Sequence, residues 1–145
     1  HDRQAEPQAR TSDVSIEEQI EGGVRVRAPS ADLETVCSNL IDNALKYTRS
    51  GGRISTALNA TGGTVVLRVQ DDGMGFDPEQ ARRLFDRFYR TEHADTEASG
   101  SGLGLSIVKA IAEGYGGTVT AQSDGVGKGS TFEVQFPQAV ARQPT

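Results

Sequence analysis

Four short motifs follow one another along the chain: Asn39-x-x-x-Asn43 with Lys46 and Tyr47, Asp71-x-Gly73-x-Gly75, Gly100-Ser101-Gly102-Leu103-Gly104, and Gly127-Lys128-Gly129-Ser130-Thr131. An ionised aspartate accepts hydrogen bonds and cannot donate, so Asp71 at a strand end selects a ligand edge with an amino donor, such as the exocyclic amine of adenine. Gly73 and Gly75 lack the Cβ atoms that would obstruct a flat ring. Gly100, Gly102 and Gly104 precede a helix, where converging backbone N–H groups and the positive helix end suit anionic oxygens such as those of phosphate. Asn39 and Asn43 project from one helical face and offer amide oxygens to a hard cation that keeps water and phosphate ligands, which fits magnesium. Lys46 lies further along the same stripe and can set a point charge near phosphates. Taken singly, each motif has an ordinary explanation as a turn or a solvated helix stripe. Their order and spacing describe a nucleotide site.

Two other phosphate signatures fail on context. Gly125-Val126-Gly127-Lys128-Gly129-Ser130 has glycine where a phosphate-binding loop needs Ser or Thr after Lys, and a strand rather than a helix follows. The Gly100 segment lacks the GxGxxG spacing and a preceding strand.

The elements that must position these residues are legible in the hydrophobic pattern. Val14-Ser15-Ile16-Glu17 and Val24-Arg25-Val26-Arg27 alternate on either side of Gly22-Gly23, which predicts a hairpin of two half-buried strands. From Ala31 to Tyr47 the residues Leu33, Val36, Cys37, Leu40, Ile41 and Ala44 recur at helical spacing, with Ser30 or Asp32 available as a cap. Strands are expected over Arg53–Leu58 and Thr64–Gln70 around a Gly62-Gly63 turn, and a short helix over Pro78–Phe85 after Asp77. Arg90 to Gly100 has no period and reads as a mobile loop. A helix from Leu103 to Tyr115 ends at Gly116-Gly117, and strands follow over Thr118–Ser123 and Ser130–Phe136. The sum predicts an α+β two-layer sandwich, a mixed and mostly antiparallel sheet with helices on one face. Residues 1–12 read as a linker or tail, 13–137 as the domain and 138–145 as a C-terminal tail.

The chain has 145 residues, enough for one core that buries roughly two thirds of the unfolded surface. Its net charge of −5 argues against nucleic-acid binding as a primary role. The single cysteine, Cys37, excludes an intrachain disulfide and a zinc site built on paired cysteines, and suits a reducing compartment. The apolar runs are far short of the ~20 residues needed to cross a bilayer, so the expected chain is soluble.

Asn39 to Thr48 and Gly100 to Lys109 resemble the N and G2 boxes of the ATP-binding catalytic domain of bacterial sensor histidine kinases, within the superfamily of the Bergerat ATP fold. The motifs at Asp71 and Gly127 resemble its G1 and G3 boxes, and Leu84-Phe85-Asp86-Arg87-Phe88-Tyr89-Arg90 looks like its F box. The resemblance covers about Val14 to Pro137. It implies that Asn39 and Asn43 serve Mg2+ and the triphosphate of ATP, that Lys46 and Tyr47 line the phosphate and nucleoside side, and that Asp71 reads adenine beside Gly73 and Gly75. It implies that Arg87 and Arg90 reach the phosphates from an ATP lid at about Asp86 to Ser101, with Gly100, Gly102 and Gly104 as cradle. Leu103, Leu105 and Thr131 join the binding set, while Phe85 and Phe88 pack the base of the lid. Asn43, Lys46, Arg87 and Arg90 are the expected catalytic residues.

The same resemblance implies a phosphoacceptor histidine in a helical hairpin. His1-Asp2 is followed by Arg3-Gln4-Ala5-Glu6 without the family's proline, and His93 has no matching context, so His1 reads as a boundary residue and His93 as a solvated one. The acceptor is expected on a dimerisation domain outside this chain, with a response regulator downstream, membrane contact only through other regions, a cytoplasmic location and a monomeric isolated domain. Two alternatives share the fold. An ATPase of the gyrase, chaperone or mismatch-repair type would carry a general-base Glu four residues before the metal-binding Asn, where this chain has Asn39, an amide that cannot take a proton from water. An anti-sigma-type serine kinase is the other, and the N and F boxes favour the sensor kinase.

Overall fold

The computed structural model describes residues 14–87 and 103–139. Among them are five strands, β1 (Ser15–Ile20), β2 (Arg53–Thr61), β3 (Thr64–Asp71), β4 (Thr118–Gln122) and β5 (Ser130–Pro137), with helices α1 (Ser30–Tyr47) and α2 (Gly104–Gly114) and a 3₁₀ helix over Pro78–Phe85. The strands form one sheet in the order β1-β2-β3-β5-β4. β1 runs parallel to β2, while β2–β3, β3–β5 and β4–β5 are antiparallel.

Period-two alternation gives the sheet two unlike faces. Val65, Leu67, Val69 and Asp71 of β3 and Ser130, Phe132, Val134 and Phe136 of β5 are buried, whereas their neighbours Arg68 and Glu133 form an ion pair at 2.6 Å on the other face. The helices cover the buried side. Val36, Leu40 and Ala44 of α1 and Val108 and Ala112 of α2 enter the same core. Leu40 and Val36 are fully buried, each contributing about 1.5–3 kcal/mol relative to exposure. The expected two-layer α+β sandwich is the architecture observed.

The predicted hairpin at the N-terminus does not form. β1 lies in parallel register on β2, with Ile16 opposite Ile54, and α1 is the crossover between them. Val24–Arg27 contributes only an isolated bridge from Val26 to Gln138. Alternation records that a segment is half-buried and is silent about its partner, so the glycine pair between the two runs misdirected the pairing. Cys37, placed in the apolar stripe by spacing, is exposed. Asp32 does not cap α1, which has no side-chain cap. Its carboxylate instead accepts the Tyr115 hydroxyl at 2.6 Å, tying the start of α1 to the end of α2.

Other local expectations hold with shifted ends. Gly62 and Gly63, both with positive φ, make the two-residue turn between Thr61 and Thr64. Asp77 Oδ1 accepts the Glu79 N–H at 3.0 Å, opening the Pro78–Phe85 segment as a 3₁₀ rather than an α helix. α2 stops where Gly117 N–H reaches the Ala112 carbonyl at 2.7 Å. Gln138 and Ala139, expected in the tail, donate backbone N–H groups to the Gly63 and Arg25 carbonyls. The rest of both expected tails, and the loop expected at Arg90 to Gly100, lie outside the described residues.

Candidate nucleotide site

Asp71 ends β3 on the buried face of the sheet and is only 5% exposed. Its Oδ1 accepts the Gly73 N–H at 2.8 Å, and Ser130 of β5 is its register partner across the sheet. Burial pushes the Asp71 carboxyl up to about 6, with the neighbouring Asp72 charge adding to the rise; the Gly73 hydrogen bond and the polar groups of Ser130 oppose it. A carboxylate this costly to desolvate gains when a ligand supplies a further donor.

The motifs meet through backbone contacts. Met74 N–H donates to the Tyr47 carbonyl at 2.9 Å, fastening the second motif to the end of α1. Gly129 N–H donates to the Gly73 carbonyl at 3.1 Å, and Gly127 N–H to the Met74 carbonyl, bringing in the β4–β5 turn. Asn39 Nδ2 donates to the Gly104 carbonyl at 3.3 Å, bringing in the start of α2. That bond uses the amide nitrogen of Asn39, and its oxygen is the atom a hard cation would take. Asn43 follows one turn on, half-buried like Asn39, and Lys46 is exposed in the last turn beside half-buried Tyr47.

The two motif glycines are also demanded by the fold itself. A Cβ on Gly73 would collide with the Tyr47 carbonyl oxygen and lie 2.9 Å from Thr48 Cα. One on Gly75 would collide with the Gly125 carbonyl oxygen and lie 2.8 Å from both the Gly129 carbonyl oxygen and Ser123 Oγ. Both glycines are required for backbone to approach backbone, so the protein's own packing already demands them.

Thr131 is placed differently. It pairs with Gln70 on the face turned away from Asp71, whereas Ser130 is the register partner of Asp71 and contacts it. Ser130 is a site residue that the sequence reading did not select, although its signal was present in the alternation of β5 against β3. Leu105 packs against the hydrophobic core. Leu103 flanks α2, its carbonyl accepting the Ser106 hydroxyl at 2.8 Å. Phe85 is buried edge-on to Phe132, with ring centroids 6.2 Å apart. Arg87 is exposed just after the 3₁₀ helix. Arg90, Phe88, His93, Gly100 and Gly102 lie outside the described residues.

Among the described residues no group of three or more His, Cys, Asp or Glu side chains could hold a metal ion. Two neutral amides alone bind a divalent cation weakly, so Asn39 and Asn43 suit one that arrives with phosphate oxygens. Among the same residues no helix is long and apolar enough to cross a membrane.

Residues 28–140 match the family of histidine kinase-, DNA gyrase B- and HSP90-like ATPases. Sensor protein SrrB of Staphylococcus aureus (strain NCTC 8325 / PS 47) is 39% identical over 107 residues, which are 73% of this chain and 18% of SrrB. The chain therefore spans under a fifth of the length of that relative. Among solved structures, the mycobacterial sensor histidine kinase MprB superposes with a TM-score of 0.82 at 30% identity, covering 94% of this chain and 92% of the other. Full-length ShkA in complex with AMPPNP superposes with a TM-score of 0.81 at 27% identity, covering 98% of this chain and 29% of the other.

Proposed function

The chain belongs to the histidine kinase-, DNA gyrase B- and HSP90-like ATPase family, and from that premise we propose that it binds Mg2+-ATP and donates the γ-phosphate to a histidine on a phosphoacceptor domain of a two-component sensor. The single observation carrying the nucleotide assignment is the buried Asp71 carboxylate, held by the Gly73 N–H and in need of a further donor. Asp71 accepts the adenine amine, Asn39 and Asn43 hold the cation, and Lys46, Arg87 and Arg90 bring positive charge toward the phosphates. Gly100, Gly102 and Gly104 cradle those phosphates. The cation, when bound, neutralises charge on the triphosphate and fixes its geometry. The protein's own contribution is position and electrostatics, as is general for phosphoryl transfer. A neutral acceptor histidine is already nucleophilic and comes from outside the matched region. We assign residues 13–137 as the functional unit, acting on the cytoplasmic side and serving a response regulator through the acceptor.

Hydrolysis as the main outcome is disfavoured because Asn39 occupies the place of a general-base glutamate. The test is to mix the chain with a histidine-kinase acceptor hairpin and γ-labelled ATP. The expected product is acid-labile label on histidine of the hairpin. Phosphate release independent of the hairpin would establish an ATPase instead, and label on serine a serine kinase.

Affinity and stability are expected to respond to pH in opposite directions. Because the folded carboxyl of Asp71 is raised to about 6 from 3.8, the unfolded chain loses this proton first as pH rises. Ligand-free stability therefore falls by roughly 2 kcal/mol between about pH 4 and pH 6 from this group alone, out of roughly 3 kcal/mol over its whole titration. Adenine requires the ionised form, so affinity should rise about tenfold from about pH 5 to pH 7.5. Calorimetry beside Asp71→Asn removes the titration of the phosphates themselves. Parallel slopes in the two proteins would refute the assignment.

A further inference from the structure

Ser123 lies immediately after β4, is 7% exposed, and belongs to none of the four motifs. Its hydroxyl donates to the Gly129 carbonyl at 2.6 Å, with the Gly125 carbonyl 3.1 Å away as a second acceptor for the same proton. Its oxygen accepts the Phe76 N–H and the Gly125 N–H, each at 3.1 Å. One side chain thus joins both ends of the β4–β5 turn to the segment that follows Asp71.

We propose that Ser123 is a positioning residue for the base pocket, setting through Gly129 the placement of Gly73, the recorded donor to the Asp71 carboxylate, and of Ser130, its register partner. Gly129 is the residue before Ser130, and its conformation leaves no freedom. A Cβ there would collide with the Asp71 carbonyl oxygen. Its N–H is committed to the Gly73 carbonyl and its carbonyl to Ser123. Gly73 is in turn the backbone donor to Asp71. The turn also has to close over glycines of positive φ at 125, 127 and 129, so it has little intrinsic preference for this shape and depends on an external tie. Removing the hydroxyl leaves the buried Phe76 N–H without its acceptor and releases Gly129 at its carbonyl end. Gly73 then donates less well to Asp71, which raises the carboxyl further and weakens the ionised acceptor that a base amine needs.

The affinity part of this inference rests on the base-reading role of Asp71, and the carboxyl titration does not. Carbon-13 NMR titration of the Asp71 carboxyl in the ligand-free chain and calorimetry with ATP, both on Ser123→Ala, test the two parts separately. The expected result is a midpoint raised by roughly half a unit and ATP affinity reduced about threefold to tenfold, with Ser123→Thr restoring both. Ser123→Cys, which fills similar space with a weaker hydrogen-bonding group, should move the midpoint in the same direction if alanine does not fold. A lower melting temperature with an unmoved midpoint would overturn the proposal and leave Ser123 as packing. A moved midpoint in a chain that never binds ATP would keep Ser123 as positioner of Asp71 and defeat the base-reading assignment.

Discussion

Asp71→Asn is expected to weaken ATP binding by about 1.5–3 kcal/mol, roughly 10-fold to 150-fold, the scale of a charge-assisted hydrogen bond. The substitution keeps the shape of the side chain and an oxygen for the Gly73 N–H. Its second terminal atom becomes an amide nitrogen, a donor set against any incoming amine. The wild-type carboxylate accepts from it. Loss of affinity should therefore come with retention of the fold, which circular dichroism of the same samples can verify. Affinity unchanged within twofold, in a folded variant, would remove Asp71 from the base pocket.

Gly75→Ala is expected to destabilise the fold by about 2–5 kcal/mol, a large share of the 5–15 kcal/mol typical of a domain. The left-handed φ of +64° costs an alanine roughly 1–2 kcal/mol. Overpacking against Ser123 Oγ and the carbonyl oxygens of Gly125 and Gly129 adds about 1–3 kcal/mol. Gly62→Ala is the control, because its φ of +59° is similar but its Cβ would point into open space. It should lose only the conformational part. Urea denaturation of both variants separates the two contributions, and equal losses would show that the packing around Gly75 yields without cost.

The helices were legible in the sequence because α1 and α2 each bury one stripe, and a period of 3.6 residues has few other causes. Strand pairing was less so. β1 alternates as a hairpin strand would, yet it pairs in parallel with β2 from the far side of α1, and no local residue encodes that choice. Asp71 was identifiable as a site residue from its neighbours in sequence. The glycines beside it were identifiable by position but their packing role was not, since the carbonyls they accommodate come from Tyr47, Gly125 and Gly129, distant in sequence. Thr131 was preferred to Ser130 because the motif was read as a string and not as an alternating strand, in which only every second residue can face Asp71. Ser123 had no signal at all, because a serine after a short strand is common and its four contacts arise only when the turn folds back.

The alternating faces of β3 also constrain how this segment can change length over evolutionary time. Asp71 points inward because it stands an even number of positions from Val65, Leu67 and Val69. A codon lost between the Gly62-Gly63 corner and Asp71 would reverse that parity, leaving either the aliphatic residues or the acid on the bare side. Removal of two codons preserves the parity and only shortens the ribbon. Length variation here is therefore restricted to even steps or must be offset by a bulge.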